Sequence, residues 1–163
     1  MFRVERIHDS RIEDLLGVIR ERAEWLIHNG KKMWDLDKLN FEDIVKRYDE
    51  PEFYISYEDR EKVGGFILIH YDKNYWKERI DDKALYFHNF VVRLGHGKQG
   101  YSDKMLEWIK MHAMELGKQF IRLDYLKDRG YLRRMYLQHG FEDIEELKLA
   151  NGDIMMKAEY KIV

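Results

Sequence analysis

Cysteine is absent from all 163 residues. Its absence removes disulfides, thiolate-bound metals and any covalent intermediate carried on a protein thiol. Proline occurs once, at Pro51, and no proline- or serine-rich linker divides the chain, so one domain over 1–163 is expected. No window approaches the ~18 consecutive apolar residues of a spanning helix. The opening MFRVERIHDSRIEDLL is charged from its third residue, unlike a secretory leader. The expectation is a cytoplasmic protein with no membrane partner. Neither sign of charge dominates: 29 basic and 31 acidic residues leave a net charge of −2. That balance lacks the global field that recruits nucleic acid, and the basic, aromatic stretch KDRGYLRR is short, so no nucleic-acid partner is expected. The seven histidines, at 8, 28, 70, 88, 96, 112 and 139, contain no H-x3-H pair, so no metal site is expected.

What is present is a globule's composition, with 14% aromatic residues arguing against disorder. FRVERI reads as a first strand. SRIE at 10–13 has the form of a capping box, Ser10 as N-cap and Glu13 reaching back. Ile12, Leu15, Leu16, Ile19, Ala23 and Leu26 then recur at helical spacing up to Asn29-Gly30. A short helix is expected at Phe41–Arg47. EFYISY and KVGGFILIHY read as a hairpin about EDRE, and ALYFHNFVV as a fourth strand. A helix carries Met105, Leu106, Ile109, His112, Ala113 and Leu116 on one face. QFIRLDYL is a strand, residues 131–139 a helix with Gly140 as the left-handed residue after it, and FEDIEELKL with DIMMKAEYKIV a closing hairpin. The sum is α/β: a mixed sheet flanked by helices.

Between the fourth strand and the following helix lies RLGHGKQGYSDK, with Gly95, Gly97 and Gly100. A strand, a glycine turn and a helix N-terminus make an anion site, because orphan amides point outward and the helix dipole adds to them. The triphosphate-binding pattern fails, since Tyr101 occupies its lysine position. GHGKQG satisfies the dinucleotide pattern G-x-G-x-x-G, with Asp124 near the spacing of its acidic partner.

FVVRLGHGKQGYSDKMLEWI resembles the acetyl-CoA loop of the GNAT N-acetyltransferase superfamily, whose typical form runs like LAVRPEYRGQGIGSKLLEWI. Gly97 stands where that family usually has Arg or Gln, and Ser102 where it has Gly or Ala. A second segment, IRLDYLKDRGYLRRMYLQHGFEDIEE at 121–146, is similar to the family's C-terminal pattern through Leu123-Asp124, Leu132-Arg133-Arg134, Tyr136 and Gly140-Phe141. Arg129 replaces a frequent Asn. The resemblance implies a single GNAT-like domain with a mostly antiparallel mixed sheet and acetyl-CoA as co-substrate. It also implies transfer to the primary amine of a small molecule or peptide. Phe90 and Val92 would meet the pantetheine arm through their backbone. Lys98, Gln99, Gly100, Tyr101 and Ser102 would hold the pyrophosphate, and Arg129 and Arg133 are candidates for the 3′-phosphate.

In acetyl transfer a neutral amine attacks the thioester carbonyl, and the thiolate leaves more easily if a donor protonates it. The resemblance places Tyr136 as that acid, although Tyr136 also continues an apolar helix stripe with Leu132 and Met135. His88 is the nearest titratable candidate for the base. Trp25, Trp34, Trp76 and Tyr54 are candidates to line the acceptor's mouth, and Asp72, Asp81 and Asp82 to attract its ammonium. The alternative is a catalytically silent acyl-CoA-binding domain. A homodimer through the exposed edge of the last strand is a further expectation.

Overall fold

The computed structural model describes residues 1–79 and 82–162. Eleven main elements follow one another: β1 (Phe2–Ile7), α1 (Ile12–His28), α2 (Phe41–Arg47), β2 (Glu52–Glu58), β3 (Glu61–Ile69), β4 (Ala84–Val92), α3 (Tyr101–Glu115), β5 (Phe120–Leu126), α4 (Gly130–Gln138), β6 (Glu142–Lys148) and β7 (Ile154–Lys161). The strands form one sheet in the order β1-β2-β3-β4-β5-β7-β6. All neighbours are antiparallel except β4 and β5, which are parallel. The chain is thus a single α/β domain with a mixed sheet.

Strand β3 explains the layering. Val63 to Ile69 are buried without a break, as in a strand covered on both faces. Ile67 and Ile69 join Leu15, Leu16 and Ile19 of α1 in one core. Phe66 and Leu68 join Met105, Leu106 and Ile109 of α3 in the other. Each such side chain contributes about 1.5–3 kcal/mol by leaving water.

Gly64 and Gly65 let these layers close. A Cβ at Gly64 would lie 2.4 Å from the carbonyl oxygen of Val91 and 3.1 Å from Met105, and one at Gly65 2.4 Å from Leu15 Cδ1. A strand carbonyl cannot withdraw without breaking its ladder. Gly64→Ala is therefore expected to cost about 2–3 kcal/mol, read as a lower denaturation midpoint. An unchanged midpoint would show that β3 and β4 separate freely.

Two expectations are corrected. The capping box does not form: Asp9–Arg11 is a 3₁₀ turn, and α1 starts at Ile12 with no side chain bonded at its Arg11 cap. Ser10 lies inside that turn, where its own amide donates to His8 Nδ1 at 3.2 Å. The last strand also has no exposed edge, because β7 lies between β5 and β6. The sheet's free edges are β1 and β6, and an edge-to-edge dimer would have to use one of them.

The sheet opens at its centre. Strands β4 and β5 pair only through Ala84↔Phe120, Leu85↔Ile121 and Tyr86↔Arg122. Beyond Tyr86, β4 carries a bulge: from His88 to Val91 it advances three residues while β3 advances two, and Asn89 adopts φ 51°. A bulge bends its strand and increases the local twist. Strand β5 meanwhile stays paired with β7 as far as Leu126↔Met155. The two parallel strands diverge, and a cleft lined by residues of both opens at that divergence.

Candidate active site

The glycine loop begins where β4 ends. Arg93 N donates to Val63 O at 2.8 Å, which makes Gly64↔Val92 a pair whose own polar groups point away from one another. The Val92 amide and carbonyl therefore face the side from which β5 has withdrawn. The carbonyl accepts from Arg22 Nη2 at 2.8 Å and Nε at 3.2 Å. The amide faces the same open side. Phe90, also half-buried, packs its ring 5.4 Å from Phe87 and 6.2 Å from Phe66.

In the loop, Gly95, Lys98 and Gly100 all have positive φ. Gly100 is the left-handed N-cap of α3, at φ 82°, with no side chain capping the helix. A residue with a Cβ would be strained there. Among the described residues, no hydrogen bond outside the helices and strands uses the amides of Gly97 to Ser102. A Cβ at Gly97 would meet nothing within 4 Å, so neither packing nor its backbone demands glycine; the glycine leaves that surface bare. Lys98 and Gln99 are exposed. Tyr101 opens the helix with its ring 6.2 Å from Phe2, which leaves its amide rather than its phenol for an anion. Ser102 is half-buried beside it. The arrangement is a row of outward donors at a helix start, the physical form of a phosphate cradle.

The divergence of β4 and β5 forms the floor of a cleft of about 890 Å³. Residues of the segment 30–48, Tyr75, and the turn around Asn151 and Asp153 wall it. On its α4 side, Tyr136 is 5% exposed and packed 5.7 Å from Tyr125, 5.8 Å from Phe141 and 6.0 Å from Phe87. Burial, then the nearby Asp124 charge, pushes its phenol well above the ordinary range, so it stays protonated at neutral pH.

On the opposite face, strand alternation brings His88 of β4 and Asp124 of β5 together. His88 Nε2 lies 3.0 Å from Asp72 Oδ2, and its ring stacks on Tyr48 at 4.6 Å. Asp72 Oδ1 accepts from the amides of Asn74 at 2.9 Å and Tyr75 at 3.1 Å. Burial raises the Asp72 carboxyl, but His88 and those amides outweigh it and hold it below the usual range. Asp124 has no such support. Its Oδ2 is buried with no hydrogen-bond partner, and one of its oxygens lies within 4.8 Å of ligand atoms of both His88 and Asp72. Burial pushes its carboxyl up to about 6, with Asp72 adding to the rise and His88, Arg47 and Lys157 opposing it. A carboxylate at this value is partly poised to accept a proton near neutral pH.

The remaining expected residues divide. Trp34 lines the cleft. Trp25 is 45% exposed under Arg22 and does not line it. Trp76 is buried beneath Arg122, and Tyr54 is buried between Phe66 and Trp108, so neither opens on the mouth. Asp72 sits behind His88 rather than at the surface, Asp82 is exposed, and Asp81 lies outside the described residues. Arg129 lines the cleft but is bonded to Asp128 and, at 2.8 Å, to Lys32 O; Arg133 Nε is held 2.8 Å from Asp143, outside the cleft lining. Both carry internal partners. Tyr48 was not among the expected site residues, and Asp124 was named only as the acidic partner of a dinucleotide pattern, not for proton transfer. The available signal was a lone acid in the apolar strand QFIRLDYL, where an unpaired charge is costly.

The sequence matches the model of the acetyltransferase (GNAT) family over residues 15–141. No curated protein matches it. Among solved structures, an acetyltransferase of GNAT family from Staphylococcus aureus Mu50 superposes with TM-score 0.71 at 18% identity, each chain covered in full. The ribosomal-protein-S18-alanine N-acetyltransferase of Escherichia coli gives TM-score 0.73 at 10% identity, over 99% of this chain and 94% of that one. A GNAT family acetyltransferase from Elizabethkingia anophelis with acetyl-CoA bound gives 0.66 at 14% identity, over 99% and 98%. At these identities the likeness is one of fold.

Proposed function

Because the chain belongs to the GNAT acetyltransferase family, we propose that it is an N-acetyltransferase acting on a primary amine by direct attack in a ternary complex. The observation that carries this reading is the divergence of β4 and β5, with Tyr136 on one face and His88 and Asp124 on the other. Acetyl-CoA, when bound, supplies the acetyl thioester. The open amides from Gly97 to Ser102 fit its pyrophosphate, and the Val92 amide fits its arm; one structural neighbour holds the same molecule.

The acceptor arrives mainly as an ammonium ion. Asp124 takes its proton, aided by His88, which Asp72 orients through Nε2. The freed nitrogen pair forms the new N–C bond as the C–S bond breaks, Tyr136 gives its proton to the departing sulfur, and the second proton of the acylated nitrogen passes through solvent to the tyrosinate, leaving the first on Asp124. Atoms balance as amine plus acetyl thioester giving amide plus thiol. With no cysteine in the chain, no protein thiol carries the acetyl group between the two.

The test is thiol release from acetyl-CoA against a broad panel of primary amines, with the acetylated product identified by mass. Amine-dependent release is expected. If acetyl-CoA raises the melting temperature but no amine triggers release, the domain is a silent acyl-CoA binder instead.

A further inference from the structure

The mouth of the cleft carries a cation that none of the steps above uses. Arg47 ends α2 and lines the cleft, with its guanidinium 5.5 Å from the Tyr48 ring and 6.0 Å from the Tyr75 ring. Its Nη2 lies 3.4 Å from Tyr75 Oη. Among the described residues no carboxylate lies within the 4 Å of an ion pair with it. Of the other cations lining the cleft, Lys46 pairs with Glu42 at 3.1 Å and Arg129 with Asp128 and the Lys32 carbonyl, while Lys32 and Lys38 are exposed lysines that lack the planar fork matching a carboxylate.

Arg47 is also held in place relative to the proton-accepting cluster. Asn74 Nδ2 donates to the Arg47 carbonyl at 3.0 Å, while the Asn74 amide donates to Asp72. The turn that orients His88 thus also fixes the end of α2. Arg47 stands within electrostatic reach of Asp124, so one cleft offers a carboxylate at its floor and a planar, anion-matching donor fork at its rim.

We infer that the acceptor is an amino acid: a primary amine that carries its own carboxylate, the nitrogen at Asp124 and His88 and the carboxylate on Arg47. This rests on the acetyltransferase reading and adds the substrate class. A polyamine would set a second cation against Arg47. A peptide N-terminus would present an amide where the guanidinium meets a carboxylate, and would forgo the charge-assisted bonds. Either would bind less well for a stated electrostatic reason.

The experiment compares each amino acid with its decarboxylated amine in the thiol-release assay: phenylalanine with phenethylamine, lysine with cadaverine, 4-aminobutanoate with propylamine, and alanine with an alanine-initiated tripeptide. The α- and ω-amino acids separate the two possible spacings. For at least one pair, the amino acid is expected to have a kcat/KM ten- to a hundredfold above its partner, the range of a charge-assisted pair. In Arg47→Ala that ratio is expected to collapse to within about twofold, and in Arg47→Glu to invert in favour of cadaverine. Thermal shift with acetyl-CoA serves as the control that both variants fold. Release with the decarboxylated amines or the tripeptide at equal or higher efficiency, or a ratio unmoved in folded Arg47→Ala, would overturn the amino-acid assignment and leave acetyl transfer standing. No release with any amine would remove the acetyltransferase reading and this inference together.

Discussion

Asp124→Asn is expected to lower kcat by about 10²- to 10³-fold at neutral pH, the usual range for losing a general base, while leaving the protein more stable than before. The two effects share one cause. The Asp124 carboxyl is raised from its ordinary 3.8 to about 6, mainly by burial, and its Oδ2 has no partner. A raised carboxyl means that the folded state holds its proton more tightly than the unfolded one. The ionised form therefore burdens the fold, increasingly as pH rises from about 4 to about 6, and fully above that. A shift of this size corresponds to about 3 kcal/mol at most. Asparagine fills nearly the same volume without the charge. The variant's melting temperature should exceed the parent's at pH 8, and the difference should vanish below about pH 4. In activity the parent should show a rising limb in kcat near pH 6 that the variant lacks. Full activity in the variant would move the proton acceptor to His88 alone. A loss of stability at pH 8 would show that the carboxylate is a structural anchor.

The neighbour two residues earlier shows why that outcome is expected. Arg122 shares the sheet face of Asp124 and is even more completely buried, yet Nε meets Glu159 at 2.7 Å and Nη1 meets Tyr86 Oη at 2.8 Å. Its charge is satisfied where β4 and β5 are still paired. Asp124 lies just past the last pair, where the partner strand has gone. A buried charge paired with a carboxylate and a phenol is architecture, whereas one left without a partner at the floor of a cleft is the better candidate to meet a substrate.

How much of this the sequence disclosed depends on the range of the interactions involved. Gly100 and Gly140 marked the start of α3 and the end of α4, because the demand for positive φ is local. The strand and helix runs were legible for the same reason, as was the glycine turn that opens α3. The site's other half depends on the sheet order and on the bulge at Asn89, and neither leaves a periodic trace. Without the divergence of β4 and β5, Asp124 reads as an odd residue in a buried strand. Residue type also misled. Tyr54 and Trp76 were expected at the mouth as aromatics, but Tyr54 alternates onto the α3 face between Phe53 and Ile55, and Trp76 folds inward beneath Arg122. Ser10 to Glu13 had the letters of a capping box, yet the chain entered α1 through a 3₁₀ turn that displaced them.

Tyr136→Phe is expected to lower kcat by about 10²-fold with little change in melting temperature. The near-constancy of stability follows from the packing: Phe87, Tyr125 and Phe141 contact the ring, which phenylalanine retains. The kinetic loss follows from the hydroxyl. Burial raises the phenol far above a thiol's ordinary ~8.5, which in water would make it a poor donor to a thiolate. The same low-polarity surroundings, however, raise the basicity of a thiolate expelled beside it, so donor and acceptor move together and the proton passes late, as charge builds on sulfur. The deficit should therefore shrink with acetyl thioesters of more acidic thiols, whose departing sulfur needs less help. The KM for the amine should hardly move, since the hydroxyl lies across the divergence from His88 and Asp124. An unchanged kcat in a folded Tyr136→Phe would reduce Tyr136 to part of the helix stripe it shares with Leu132 and Met135. A loss of equal size for every thioester would assign it to positioning rather than proton donation.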